Sequence, residues 1–165
     1  MSNAESELAA AVGQTLPDAY FAFLDGLAAR PTLGEGFGVI LDFDGRHWRP
    51  HNRSELAETV RFDRGAEHPR AHETAAVAES LRDGDAKHCG EMSAVLVEQG
   101  FTLERLARGF CIGDDGNGEP LFVDSDTGAV YAYYHDGMDV EQWSESVIEL
   151  IASSRDWTGD EDEAV

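Results

Sequence analysis

The stretch "GFCIGDDGNGEPLFVDSDTGAVYAYYHD", residues 109–136, decides how the chain is read. Its apolar runs "FCI", "LFV" and "AVYAYY" are separated by two polar turns, "GDDGNGEP" and "SDTG". Glycine reaches positive φ freely, and Asp and Asn bond their own backbone, so such turns between apolar runs mark hairpins. The segment predicts a three-stranded antiparallel meander. In its last strand Val130, Ala132 and Tyr134 fall on one face, and Tyr131, Tyr133 and His135 on the other.

The acidic turn invites three chemical readings. An EF-hand calcium loop needs a run of converging oxygens and a flanking helix on each side. Asp115 and Asn117 have the right spacing, but Glu119-Pro120 follows them and no helices flank the turn. A phosphate loop needs a lysine after its last glycine; Glu119 stands there. A catalytic acid pair needs environments that separate two pKa values, which an exposed turn does not supply. The turn therefore reads as a hairpin connection.

Working outward, residues 15–30 predict a helix with Thr15 as cap, Pro17 in the first turn, and Leu16, Tyr20, Phe23 and Leu27 at helical spacing. Pro31 and the glycines after it end that helix. "FGVILDFDGRHWRP" predicts a hairpin turning at Asp44-Gly45. Ser54 opens a short helix, "SELAETV". Further helices are expected in "AHETAAVAESL" and "GEMSAVLVEQG", with "RDGDAKHCG" as the loop between them. Thr102 caps "TLERLARG", which stops at Gly109. In "DVEQWSESVIELIASS", Asp139 and Gln142 have capping-box spacing, and Val140, Trp143, Val147 and Ile151 form one apolar face, which predicts a helix. The expected organisation is a short segment at 1–14, one α+β domain at 15–154 with an antiparallel sheet flanked by helices, and an acidic, flexible tail at 155–165.

The 165 residues suffice for one core without staples. No apolar run is long enough to cross a membrane, and the first residues lack the basic start of a secretory signal. Cys89 and Cys111 have no framework spacing, which fits free thiols and a cytoplasmic location. Against 33 acidic residues stand 12 basic ones, a formal net charge of −21. Such a surface repels nucleic acid and anionic membranes and favours a basic protein partner. His47 and His51, and His68 and His72, lie four apart, and His88-Cys89 adds two more metal-ligating groups. Pro50 and Pro69 interrupt the helix that an HxxxH zinc site would use, so no metal and no cofactor are expected. A metal-dependent enzyme using those histidines is the alternative. No nucleophile constellation is present.

The order of these motifs resembles the SUKH superfamily, which contains fungal cell-wall regulators of the Smi/Knr type and bacterial immunity proteins. "LPDAYFAFLDGL" is similar to its opening helix. Residues 109–136 resemble its strand, glycine-acidic turn, strand ending in aspartate, and aromatic strand ending in His-Asp. Asp124 and Gly128 match the family's hydrophobic-Asp and Gly-x-Val pattern, and Gly113, Gly116 and Gly118 match its turn. Residues 63–100 depart from it, being longer and more helical than its usual connection.

The resemblance implies a non-enzymatic α+β binding domain, of the kind that neutralises a polymorphic toxin, often a nuclease. A regulatory scaffold of the fungal type is the alternative it implies. The expected partner contacts are Asp114, Asp115, Glu119, Asp124, Asp126, Tyr131, Tyr133 and His135, because charged and aromatic groups together make interface anchors.

Overall fold

The computed structural model describes residues 18–28, 40–61, 67–88 and 91–157. Thr15, Leu16, Pro17, Pro31 and most of the acidic tail lie outside these, as does Cys89. Helix α1 (Asp18–Ala28) is followed by the hairpin β1 (Leu41–Phe43) and β2 (Arg46–Pro50). Asp44 and Gly45 turn it with φ of 51° and 78°, the doubly left-handed pair whose twist suits a two-residue hairpin.

The next helix, α2 (Arg53–Ala57), starts one residue before Ser54. Its cap is Asn52, whose side chain accepts from Glu55 N while Asn52 N donates back to the Glu55 carboxylate. Satisfying both orphan amides at once outweighs what Ser54 could offer. Thr59 and Val60, read as the end of that helix, pair instead in a small hairpin of β3 (Thr59–Arg61) and β4 (Glu67–Pro69).

After a single 3₁₀ turn comes α3 (Glu73–His88), which runs through the "RDGDAKH" expected to be a loop. Gly84 costs such a helix about 1 kcal/mol relative to Ala, yet it is buried, and the Asp85 carboxylate accepts from Ser93 N in the following helix. Helices α4 (Glu91–Glu98) and α5 (Leu103–Ala107) complete this group. Thr102 caps α5 through Arg105 N, as expected.

The meander is present as β5 (Phe110–Asp114), β6 (Pro120–Val123) and β7 (Val130–Tyr134). Residues 139–144, expected as helix, form a fourth strand, β8 (Asp139–Ser144), paired along β7. Only α6 (Val147–Ser153) is helical, capped by Ser146 through Glu149 N. Val140 and Trp143 are three apart, so a strand turns them to opposite sides of the sheet, and each finds apolar neighbours there. The chain returns in β9 (Arg155–Asp156), which pairs with β1, so the expected tail begins with an ordered edge strand.

All pairings are antiparallel, and the seven-stranded sheet has the order β8-β7-β6-β5-β2-β1-β9. It is the middle layer of an α+β domain. On one face α1 and α6 bring Tyr20, Leu24, Leu27, Val147 and Leu150 against Trp48, Ile112, Leu121 and Val130. On the other, α3, α4 and α5 bring Leu81, Leu96 and Leu106 against Phe122 and Tyr133. Because both faces are covered, β5 and β6 are buried at every position, and their sequence reads as apolar without clean alternation.

The seam between the two halves of the sheet is β2 against β5. At Gly113 an added Cβ would lie 2.3 Å from the Arg49 carbonyl oxygen, and a bulge between Cys111 and Gly113 adjusts the register there. Gly113 thus serves close backbone approach. The Tyr20 hydroxyl closes the seam from α1, donating to the Ile112 carbonyl at 3.1 Å. Among the described residues no helix is long and apolar enough to cross a membrane.

Candidate functional site

The acidic turn of residues 114–120 is a hairpin connection held by its own carboxylates. The Asp115 side chain accepts from the backbone N–H groups of Asn117 and Glu119, at 2.9 and 3.1 Å. Asp114 accepts from Gly116 N at 2.9 Å. Gly116 and Gly118 sit at φ of 87° and 93°, conformations that other residues adopt only with strain. Asp114 is buried and turned towards β2, where Arg49 grips one of its oxygens at 2.8 and 3.1 Å. His51 lies 3.8 Å from the same oxygen. Burial first, then the charges of Arg70 and Arg49, push the His51 imidazole down to about 3, so it is neutral at physiological pH.

Beside this turn lies a cavity of about 500 Å3 between α3 and the meander. One wall is a face of α3: Glu73, with Ala76, Val77, Ser80 and Leu81 following at helical spacing. The other wall comes from Glu119 and Pro120 at the end of the turn, Tyr133 and His135 of the aromatic strand, and Met138. Met138 is held at φ 54°. Gln99 at the end of α4 steadies it by donating to the Met138 carbonyl and accepting from Val140 N.

The polar groups of this cavity differ in how far they are committed. Glu119 is in contact with the His135 ring, and His135 N also donates to its carboxylate at 3.4 Å. Glu73 is less engaged: among the described residues its hydrogen-bond donor is the buried Cys111 thiol, at 3.6 Å. Burial raises the Glu73 carboxyl above its ordinary value; the Cys111 hydrogen bond and Arg70 pull against this, and the charges of Asp114 and Glu119 add to it. Burial, with Glu119 and Asp139 nearby, pushes the Tyr133 phenol up to about 12. Cys111 is fully buried, which raises its thiol well above the ordinary range and keeps it unreactive.

Of the residues expected from sequence, the fold brings Glu119, Tyr133 and His135 to this one cavity. Asp114 and Asp115 belong to the same turn but are occupied in holding it. Asp124 and Asp126 stand at the opposite ends of the strands, in the turn between β6 and β7. Asp124 is completely buried, so its carboxylate has no surface to offer a partner. It receives a two-pronged grip from Arg105, at 3.0 and 2.7 Å, and bonds from Thr127 N and Oγ1. Burial alone would raise this carboxyl, but those hydrogen bonds outweigh it and hold it below its ordinary value. Asp126 pairs with Arg108 at 2.7 Å and is half exposed. Tyr131 stacks on Phe122 and meets Phe101 edge-on, with the Arg105 guanidinium 4.0 Å from the Phe101 ring.

Sequence reasoning missed Glu73, Ser80 and Met138. The signal for Glu73 was present in "ETAAVAESL": one acid on an otherwise small and apolar helix face. The histidines disperse. His47 packs on Trp157, His51 is buried at the seam, and His68 meets Glu79 at 3.3 Å. His72 is lowered by burial and by His68. Among the described residues no three His, Cys, Asp or Glu side chains are placed to hold one metal ion; Cys89 and the His88 side chain lie outside them.

No family model, no curated protein and no solved structure matches the chain.

Proposed function

We propose that the protein is a non-enzymatic, cytoplasmic binding domain that engages a basic protein partner, in the manner of an immunity protein that neutralises a toxin. The observation that carries this reading is how the cations are used. Every arginine whose side chain is described pairs with a carboxylate: Arg46 with Glu141, Arg49 with Asp114, Arg61 with Glu67 and Arg70 with Glu58. The same holds for Arg82, Arg105, Arg108 and Arg155. With a net charge of −21, the carboxylates in excess of these pairs project a field of one sign. Such a field speeds encounter with a basic surface and selects against nucleic acid. A nuclease, whose substrate groove must be basic, is the toxin class that suits it best. The SUKH-like order of strand, acidic turn and aromatic strand supports the same reading.

Co-expression with the product of the adjacent gene tests it. The expected result is rescue of growth and co-purification of a complex that weakens as salt is raised. A toxin that stays active, with no complex recovered, would overturn the immunity reading in favour of a regulatory scaffold.

A further inference from the structure

We infer that the cavity between α3 and the meander is a socket for a lysine side chain presented by a protein partner. This rests on the binding-domain reading above and names the chemistry of its contact. The cavity, at about 500 Å3, lies within the roughly 300–1,000 Å3 typical of ligand sites. Its walls are divided in kind. Val77, Leu81, Met138 and Pro120 offer an apolar sleeve, while Glu73 and Glu119 bring carboxyl groups to it. A lysine has the same division, four methylenes ending in an ammonium with three donors. An anion would meet two carboxyl groups, and a wholly apolar group would strip water from them without replacing its hydrogen bonds.

Glu73 is the member hardest to explain by folding alone. It stands on the apolar face of α3, half buried, with only the weak Cys111 thiol as a donor among the described residues. The nearest arginine that acts on its charge, Arg70, is already bonded to Glu58 at 3.2 Å. The first turn of α3 favours a carboxylate there, and an arriving cation would supply the pairing that it lacks. Its raised affinity for protons agrees with that. An incoming ammonium would supply the missing donors, and Glu119, which already raises Glu73 through its charge, would share it. The His135 ring already contacts Glu119, which leaves Glu73 as the principal acceptor.

The test is a titration of the full chain, followed by backbone amide NMR, with three capped tripeptides that differ in one residue: acetyl-Gly-Lys-Gly-amide and its norleucine and glutamate counterparts. The Lys peptide is expected to shift the amides of residues 73–81, 118–119 and 133–138, with a dissociation constant on the order of 1 mM. Glu73→Gln is expected to weaken it about tenfold while leaving the melting temperature unchanged or raised. Glu119→Gln is expected to weaken it less. Equal binding of the norleucine peptide, preference for the glutamate peptide, or no shift at 50 times that concentration would overturn the inference. So would binding of n-butylamine without binding of the Lys peptide, which would make the cavity a site for free amines. A drop in melting temperature for Glu73→Gln would assign Glu73 to the fold instead. These outcomes are separable from the immunity reading. Growth rescue that survives Glu73→Gln with Glu119→Gln removes the socket and keeps the immunity function, whereas Lys binding without rescue does the reverse.

Discussion

The two turns of the meander are written in the same residues and put to different use. Both are rich in Asp and Gly, and both lie at the ends of β6. At 124–128 the aspartate is fully buried and locked by Arg105, Thr127 and the Ala129 carbonyl, which accepts from Asp124 N at 2.8 Å. A side chain from α5 and two groups of the turn itself converge on this one carboxylate. At 114–120 Asp114 and Asp115 likewise hold the backbone, but Glu119 at the far end of the turn joins Glu73 around an open cavity. Identical turn chemistry therefore says little about role. What separates structural from available acids is whether the carboxylate is taken up by backbone amides, as Asp115 is, or by an arginine held by packing, as Arg105 is over Phe101.

The comparison breaks most visibly at Arg105. Arg105→Ala removes the arginine that pairs with a buried carboxylate and should cost about 3–5 kcal/mol in chemical denaturation. Because the folded Asp124 carboxyl lies below its unfolded value, its stabilisation is complete above about pH 4 and lost as pH falls through the lowered folded value. Asp124→Asn should flatten that acid limb.

Gly113→Ala acts at the other end, where a methyl would meet the Arg49 carbonyl oxygen at 2.3 Å. Both elements of that clash are backbone in the sheet seam, so a loss of about 2–3 kcal/mol is expected. A variant as stable as the parent would show that β2 and β5 can separate without penalty.

The pH windows of the two ends should also differ. His51 is neutral when folded, its imidazole lowered from 6.5 to about 3. The unfolded chain therefore takes up its proton first as pH falls. Its contribution is intact above about 6.5 and declines below it, by roughly 3 kcal/mol before Asp124 begins to titrate. His51→Leu should remove the decline between pH 6.5 and 4 with little effect at pH 7, since the His51 Nδ1 has no hydrogen-bond partner among the described residues. Denaturation midpoints across pH 4–8 read this directly. Smallest of all, Asp115→Ala removes an acceptor for two exposed-turn amides and should cost about 1 kcal/mol.

Much of the fold was legible because the meander's strands are apolar runs bounded by turns that only glycine and aspartate make well. The parity of Tyr131 and Tyr133 against Val130 and Ala132 also came through, since period two leaves no other arrangement. The misreadings share a cause. "DVEQWSESVIELI" carries a helical spacing of apolar residues that a strand followed by a short helix reproduces, and the exposed β7 edge decided for pairing. "RDGDAKH" carries Gly and Asp at loop frequency, but tertiary packing kept α3 helical through it. The site was half visible. Glu119, Tyr133 and His135 belong to the motif-rich segment, whereas Glu73 comes from a helix whose register against the sheet no local pattern states. Asp124 was misjudged because its partner, Arg105, lies 19 residues away.

The most direct measurement is amide hydrogen exchange of the protein with and without a protein recovered with it in the co-expression experiment. Slowed exchange at residues 73–81 and 115–119, with residues 124–128 unchanged, is the predicted result. Protection confined to 124–128 and the adjoining end of α5 would contradict it, and would place the partner on the turn assigned here to structure.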